Sequence, residues 1–600
     1  MNTKLSKKYN QKIEELAKLI ATLKTRGQII VLLELILFII IICLIIFYAI
    51  LKQNQILLVI AFLLVFLYFY LRKLDFKNDT KLSDLKSLLV VYKDEVDYQN
   101  GIFLKFRNGE SYLDPNHRYA YDLDIFGDKS LFQRINRTIS TGGNDYLAKC
   151  LLNTISVKGL SKYSFVLNRQ KTISNLTTKE LFLSKFKSIS ADEPIDTKGV
   201  KKAIGLIDTI KVPSYFINTI MLIFVYLLRI VFYVSIILGI MSIVTPVLPI
   251  WVGLINLFIS VFISKKYFSM INNVLDNLKL YIKKYQKIIR VVTNEKFESN
   301  ELLEIKESLQ KAHYSFDKIE RLSQKIDNRS NQIGMILFNS FFMVDFFIVR
   351  DFVKLQKLNK INHEAWIDNV SKIDALVSMA NFALNENKAI FPKIIDENKV
   401  IYKTKNIYHP FLGEKAIPND FFINNREYYI ITGANMAGKS TFLRSIGINY
   451  VLAINGLPVF ADDMEISLFY LFTNMRTKDD LTHGISYFNA ELLRLKQLIN
   501  SLDIETPTLI ILDEILKGTN SVDKLNGSRL FLKYISDKNV TGIIATHDLE
   551  LSNLEKEQPN RFHNYCFEIQ LSDQLTYPYK ITKSVARNQN ATYLLKQLLT

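Results

Sequence analysis

The chain has 600 residues, length for several domains, and its 49% apolar content is ample for buried cores, which excludes a core-poor polar chain. Its three cysteines, Cys43, Cys150 and Cys566, are too few and too scattered for a disulfide framework or a cysteine metal site, so a reduced, cytoplasmic setting is the default. The net charge of +18 suits a nucleic acid or an anionic membrane leaflet and does not choose between them.

The first element in chain order is a helix from Lys12 to Leu23. It carries Ile13, Leu16, Ile20 and Leu23 on one face, available to a membrane surface or to a partner. Ile29 to Leu51 is then almost unbroken apolar sequence with only Glu34 charged, long enough to span a bilayer. After the polar Lys52, Gln53, Asn54 and Gln55, a second arm runs from Ile56 to Leu71. The long charged leader and the lack of a small-residue cleavage site argue against a secretory signal. A second apolar block, Tyr215 to Ser264, is interrupted by Arg229 and by the turn residues Thr245, Pro246 and Pro249. Its expected spans are Ile230 to Val244 and Val247 to Ile263, with Tyr215 to Leu228 extending the first or lying at the interface. A helical hairpin buried in a soluble core is the competing reading of both blocks. Lys18, Lys24 and Arg26 precede the first hairpin, Arg72, Lys73 and Lys77 follow it, Lys265 and Lys266 follow the second, and the hairpin tips are nearly uncharged. Positive residues stay inside, so both hairpins are expected to dip outward and return, leaving the rest of the chain in the cytoplasm. The charge-rich Glu301 to Lys325 reads as solvated helix faces.

Gly433 to Thr441, GANMAGKST, fits the phosphate-binding pattern G-x-x-x-x-G-K-[ST] at every fixed position. Gly433 and Gly438 allow a tight turn of backbone N–H groups around phosphate, Lys439 supplies a point charge, and Ser440 offers a hydroxyl to Mg²⁺. The apolar Tyr428 to Thr432 before it and the periodic residues after it predict strand, loop and helix, and the helix N-terminus adds its partial positive charge. Thr508 to Leu512 reads as a buried strand ending in Asp513, placed to hold hydrated Mg²⁺, and Glu514, placed to orient or deprotonate the attacking water. Gly542 to Leu551 reads as another strand with His547 at its exit, a contact for the γ-phosphate or the water. Between the first two elements, Asp479, Asp480, Gly484 and Ser486 precede a helix of good period.

These residues resemble the ATPase domain of the MutS family of DNA mismatch-repair proteins. The family's T-G-P-N-M-x-G-K-S-T is matched by Thr432, Gly433, Ala434, Asn435, Met436, Ala437, Gly438, Lys439, Ser440 and Thr441, departing only at Ala434. Its D-E-[IL]-G-R-G-T-S-T-x-D is similar to the run from Asp513 to Asp523, with Lys517 and Asn520 softened and Leu516 a departure. Its D-D-L-x-x-G-x-S-x-F-x-x-E resembles Asp479, Asp480, Leu481, Gly484, Ser486, Phe488 and Glu491, which implies that Ser486 reaches the partner's γ-phosphate across a dimer interface. At the adenine-stacking position of the family this chain has Ile417, which keeps apolar contact with the base without π-stacking. More weakly, residues 126–152 with Asn168, Arg169 and Gln170 resemble the start of the family's helical lever, and Ile373 to Ala380 its return to the ATPase. Met335 to Val349, too short to span and carrying Asp345, is expected in the lever core. Family members that read mismatches carry an N-terminal F-x-E wedge; no F-x-E occurs in the N-terminal region here, so mismatch discrimination lacks its evident source.

The expected architecture is multidomain: transmembrane α-helical hairpins, an all-α lever or core, and a C-terminal α/β P-loop ATPase of the ABC/MutS type. The expected segments are a cytoplasmic N-terminal helix (1–28), hairpin one (29–71), the first part of the core (72–210), hairpin two (211–266), the second part of the lever (267–395) and the ATPase (396–600). The resemblance implies a homodimeric ATPase in a cytoplasmic or inner membrane, using ATP and Mg²⁺ to drive a clamp, with DNA a candidate partner. The competing classes are a nucleotide-regulated membrane assembly protein without DNA, and an ABC-type transporter. The transporter reading lacks the LSGGQ-like segment that should precede the Asp513 strand.

Overall fold

A stretch without proline from Thr3 to Leu51 forms one 49-residue helix, α1, and a second, Gln55 to Gln99, forms the 45-residue α2. The computed structural model describes residues 3–51, 55–154, 161–191, 193–329, 331–359, 363–434, 436–476, 487–502, 505–571 and 575–587. At 1.5 Å per residue α1 and α2 are each about 70 Å long, more than twice the hydrocarbon thickness of a bilayer. They pack side by side as a hairpin. In its charged half, Tyr9 and Leu16 bury against Tyr92, with the Tyr9 and Tyr92 rings 5.6 Å apart. The apolar face of Lys12 to Leu23, expected to meet a membrane or a partner, is thus covered by α2 of the same chain. In the other half the pattern inverts: Ile50, Phe62 and Phe69 are exposed, while Glu34 is buried beside Arg72 at 3.6 Å.

The helical body follows with α3 (Leu131–Ile135), α4 (Thr141–Leu151), α5 (Lys162–Thr177), α6 (Glu180–Ser188) and α7 (Thr197–Thr209). The second apolar block forms α8 (Thr219–Ile240) and α9 (Val247–Asn294). The Asn218 side chain caps α8, so its span candidate begins eleven residues before the expected Ile230, and Met241 to Val244 form the turn. Then come α10 (Asn300–Arg329), α11 (Gln332–Phe342), α12 (Val344–Asn359) and α13 (His363–Asn385). Unbroken helix runs through positions 28/29, 71/72 and 266/267. Among the described residues four helices are long and apolar enough to cross a membrane, within Lys4–Ile50, Ile56–Gln99, Thr219–Ile240 and Val247–Asp276.

The expectation that Met335 to Val349 lies wholly in the helical core is half overturned. Phe346, Ile348 and Val349 of α12 are buried in the core, but α11, bent from α12 by 81°, leaves Ile336, Leu337, Phe338 and Phe341 exposed. Central to the body is α13, packed on α4, α5 and α10. Its buried Asp374 accepts from the backbone N–H groups of Ile139 and Ser140, each at 2.9 Å, and from the Ser140 hydroxyl at 2.6 Å. Burial pushes this carboxyl up to about 6 against those bonds.

The last third is α/β. Strands β1 (Lys393–Ile395), β2 (Tyr402–Ile407), β3 (Asn419–Ile423), β4 (Tyr428–Gly433), β5 (Asp463–Ser467), β6 (Tyr470–Asn474), β7 (Thr508–Asp513), β8 (Val540–Thr546), β9 (Phe562–Phe567), β10 (Gln570–Leu571), β11 (Leu575–Thr576) and β12 (Ile581–Thr582) form three sheets. Helices α14 (Lys439–Ile454), α15 (Tyr487–Ser501), α16 (Ser521–Ser536) and the short α17 (Leu554–Glu557) connect or flank them. The main sheet has the order β12-β9-β4-β8-β7-β6, and all its pairings except β12 with β9 are parallel. Its central strands β4 and β8 are fully buried, as expected for runs such as Tyr428 to Thr432 covered on both faces.

Candidate nucleotide site

Parallel strands end together, and their carboxyl ends are where ligands bind an open α/β sheet. Here β8 lies between β4 and β7, with Thr432 paired to Thr546 and Asp513 to Ala545. The exits of these three strands therefore bring the phosphate loop, His547 and the Asp513–Glu514 pair to one edge.

The loop turns where its sequence demands it. Gly433 has φ 149° and Gly438 φ 106°, and a Cβ at Gly433 would lie 2.7 Å from the Phe567 carbonyl oxygen. Gly438 in the left-handed region caps the N-terminus of α14. The Lys439 ammonium turns back along the loop, donating to the carbonyls of Gly433 at 2.7 Å and Ala434 at 2.9 Å, with His547 Nε2 at 3.4 Å. Burial pushes the Lys439 ammonium down to about 8, against the pull of Asp513 and Glu514. Ser440 donates its hydroxyl proton to Asp513 Oδ2 at 2.5 Å, so a hydroxyl and a carboxylate stand together at the start of α14. Such hard oxygen donors, open to solvent, fit a Mg²⁺ that keeps most of its waters and binds chiefly through substrate phosphates.

Glu514 has φ 63° and Leu516 φ 58°, left-handed conformations held by their surroundings. The Glu514 amide donates to the Ala545 carbonyl at 2.9 Å, and its carboxylate accepts from Lys524 at 3.2 Å with His547 Nε2 at 4.0 Å. Burial raises this carboxyl, but Lys524, His547 and Lys517 outweigh it and hold it below the usual carboxylate range. Burial and the neighbouring Lys439 push the His547 imidazole down, leaving it neutral near pH 7 and able to accept as well as donate a hydrogen bond. The turn after Glu514 is gripped from α15: Glu491 Oε1 accepts from the Lys517 amide at 3.1 Å, and a Cβ on Gly518 would stand 3.0 Å from that of Phe488.

A cavity of about 670 Å³ joins these groups, lined by Lys439, Ser440, Asp513, Glu514 and His547 together with Tyr408, Ile417, Phe567 and Tyr579. Met436, Ala437, Gly438 and Thr441 also line it. Ile417, expected to make an apolar contact to the base, lines this cavity. Asn435 and Ser486, together with Asp479, Asp480 and Gly484, lie outside the described residues.

The family model described as MutS domain V matches residues 429–595, the segment that carries β4, the phosphate loop, Asp513, Glu514 and His547. The chain is similar to the DNA mismatch repair protein MutS of Aquifex pyrophilus, 30% identical over 268 residues, 44% of this chain and 30% of that protein. Similar matches are the MutS proteins of Acetivibrio thermocellus, 31% identical over 37% of this chain and 26% of the relative, and Clostridium botulinum, 30% identical over 46% and 29%. A MutS domain V therefore occupies residues 429–595 of the chain. The chain spans between a quarter and a third of the length of these relatives.

Two features of this site escape sequence reading. Tyr579, 140 residues after Lys439, lines the cavity with its ring against the phosphate loop, where a Cβ on Gly438 would stand 3.0 Å from it, and Asn419 anchors this segment by binding the Tyr579 carbonyl at 3.0 Å and the Ile581 amide at 2.9 Å. The aromatic pair Tyr577 and Tyr579 was the available signal, and the two rings stack 5.9 Å apart. The second feature is a bridge from the site to the helical body. Asp122 accepts from the Thr473 hydroxyl at 2.6 Å and the Arg476 amide at 2.9 Å, with Arg494 at 3.8 Å. Asp124 pairs with Arg476 and, at 3.3 Å, with Arg444 of α14, the helix that begins at the phosphate loop.

Proposed function

We propose that this chain is a membrane-anchored MutS-family ATPase that binds and hydrolyses ATP as a dimer and uses the cycle to move its helical body. The observation that carries the reading is the meeting of Lys439, Ser440, Asp513, Glu514 and His547 at one sheet edge of a MutS domain V. Lys439, the loop amides and Ser440 bind and orient the phosphates, and Ile417 and Tyr579 hold the base. Ser440 and Asp513 would hold Mg²⁺, which supplies charge neutralisation on the phosphate oxygens. Glu514 orients the attacking water and accepts its proton, and neutral His547 fixes that water or the γ-phosphate. Ser486 of a second copy completes the site. Closing the loop pulls α14, and Arg444 transmits the movement through Asp124 to the body.

Membrane anchoring is supported by four long apolar helices whose large side chains face outward, and by basic residues at the base of both hairpins. On this reading the ATPase lies on the cytoplasmic face of the cell membrane. DNA as the moved ligand is supported by the names of the relatives. The test is ATPase activity of the detergent-solubilised protein at one fixed salt, with no DNA and with matched, mismatched and branched duplexes. Stimulation by any duplex supports a DNA clamp. Indifference to all would favour an assembly protein whose nucleotide state controls membrane partners.

A further inference from the structure

Helix α11 has its polarity reversed relative to a soluble core helix. Gly334, Asn339 and Ser340 are its buried residues, while Ile333 is 72% exposed and Ile336, Leu337, Phe341 and Phe342 also face outward. The buried side rests on α8 and α9. There α9 presents Gly253, Asn256, Ser260 and Ser264, spaced three, four and four residues apart and so on one face. A Cβ on Gly253 would stand 3.0 Å from Phe232 and 3.7 Å from Ser340 Cβ, so the helices approach closely at this point.

Hydrogen bonds run along this seam. Ser260 donates to Asn339 Oδ1 at 2.8 Å, Asn256 Nδ2 to the Ser340 carbonyl at 3.3 Å, and the Tyr233 hydroxyl to the Phe341 carbonyl at 2.9 Å. Small residues and interhelical polar contacts inside, with large apolar side chains outside, are how helices associate when lipid surrounds them. On the neighbouring α8 and α9, large apolar side chains such as Ile237 and Phe258 are exposed as well.

The break that follows is a built feature. Met343 adopts φ 52°, and the Asp345 amide donates to Asn339 Oδ1 at 2.9 Å. Arg329 at the end of α10 holds the buried Asp345 carboxylate with two bonds at 2.8 and 2.7 Å. Eleven residues of helix give about 16 Å, roughly half the hydrocarbon thickness, so α11 cannot cross.

We propose that α11 is a re-entrant element that enters the bilayer beside α8 and α9 without crossing it, presenting Ile333, Ile336, Leu337 and Phe341 to acyl chains. This rests on the membrane-anchored reading and adds a third contact to it. Because α12 continues from Met343 into the helical core through Phe346, Val349 and Phe352, movement of the body bears on lipid through the bend.

The full chain with Cys43→Ala carries one added cysteine, Leu337→Cys on α11, Ile237→Cys on α8 or Tyr314→Cys on α10, labelled with a small fluorophore and reconstituted in phosphatidylcholine–phosphatidylglycerol vesicles. Nitroxide is placed on the acyl chain or on the headgroup. The expected result is that acyl-chain nitroxide removes most of the fluorescence at positions 337 and 237, and that neither nitroxide affects 314. Quenching at 237 without acyl-chain quenching at 337, including headgroup quenching alone, overturns the re-entrant assignment and leaves the membrane reading standing. Absence of quenching at 237 overturns both.

Discussion

Lys439 sets a pH dependence on nucleotide affinity that follows from its surroundings. Its ammonium is held by two loop carbonyls, but burial depresses its ionisation to about 8. A phosphate chain in the loop would restore the charged form, so binding takes up a proton whenever the free protein has lost one. With a free-state value of about 8 and a bound state that stays protonated, the dissociation constant scales as one plus the ratio of neutral to charged lysine. The ratio is about 0.1 at pH 7 and about 10 at pH 9, so affinity for ATP should fall about tenfold across that range, or about 1.4 kcal/mol. The sign is fixed: a lowered lysine weakens binding as pH rises and has no effect well below 8. Equilibrium binding of a fluorescent ATP analogue to the solubilised chain between pH 6.5 and 9.5 reads this directly, with Lys439→Arg as the control because guanidinium stays charged throughout. A flat profile in the wild-type chain, or the same fall in the arginine variant, would refute the role given to this ammonium.

Tyr579 should contribute to base binding: Tyr579→Ala is expected to weaken ATP and ADP equally, by about 1.5 kcal/mol, the scale of one base–aromatic stack. Unchanged affinity by isothermal titration would remove it from the site. Asp122→Ala leaves the Thr473 hydroxyl, the Arg476 amide and Arg494 without their buried carboxylate and should lower stability by about 3 kcal/mol. Thermal unfolding checks it, and a midpoint within a degree of wild type would argue against the bridge. Asp124→Asn removes half-exposed ion pairs and should change stability by less than about 1 kcal/mol while uncoupling Arg444. A loss of stability as large as that of Asp122→Ala would contradict this division of labour.

The phosphate loop was legible because its chemistry is contiguous: Gly433, Gly438, Lys439 and Ser440 lie within eight residues, and the strand before them is apolar enough to announce itself. Asp513 and His547 were legible for a similar reason, each at the end of a short β-branched run. Tyr579 was not, because its position depends on Asn419 binding its backbone carbonyl across 160 residues of sequence, a contact with no periodic trace. The partner of the Lys12 to Leu23 face was hidden likewise, since Tyr92 and Leu88 come from a helix that returns only after both apolar arms. The split of Met335 to Val349 could not be read from hydropathy at all. An apolar run with one aspartate suits a core helix, and only the packing of Asn339 and Ser340 against α9 reveals that the apolar side of α11 faces out.

In the proposed cycle Glu514 acts on water and not on nucleotide binding. In Glu514→Gln the side chain keeps its size and its place beside Lys524 but cannot accept a proton. Side-by-side measurement of ATP binding and steady-state phosphate release should show affinity within about threefold of wild type and turnover reduced about a hundredfold or more. Phosphate release at the wild-type rate with intact binding would contradict the assignment of this chain as an ATPase working through that carboxylate.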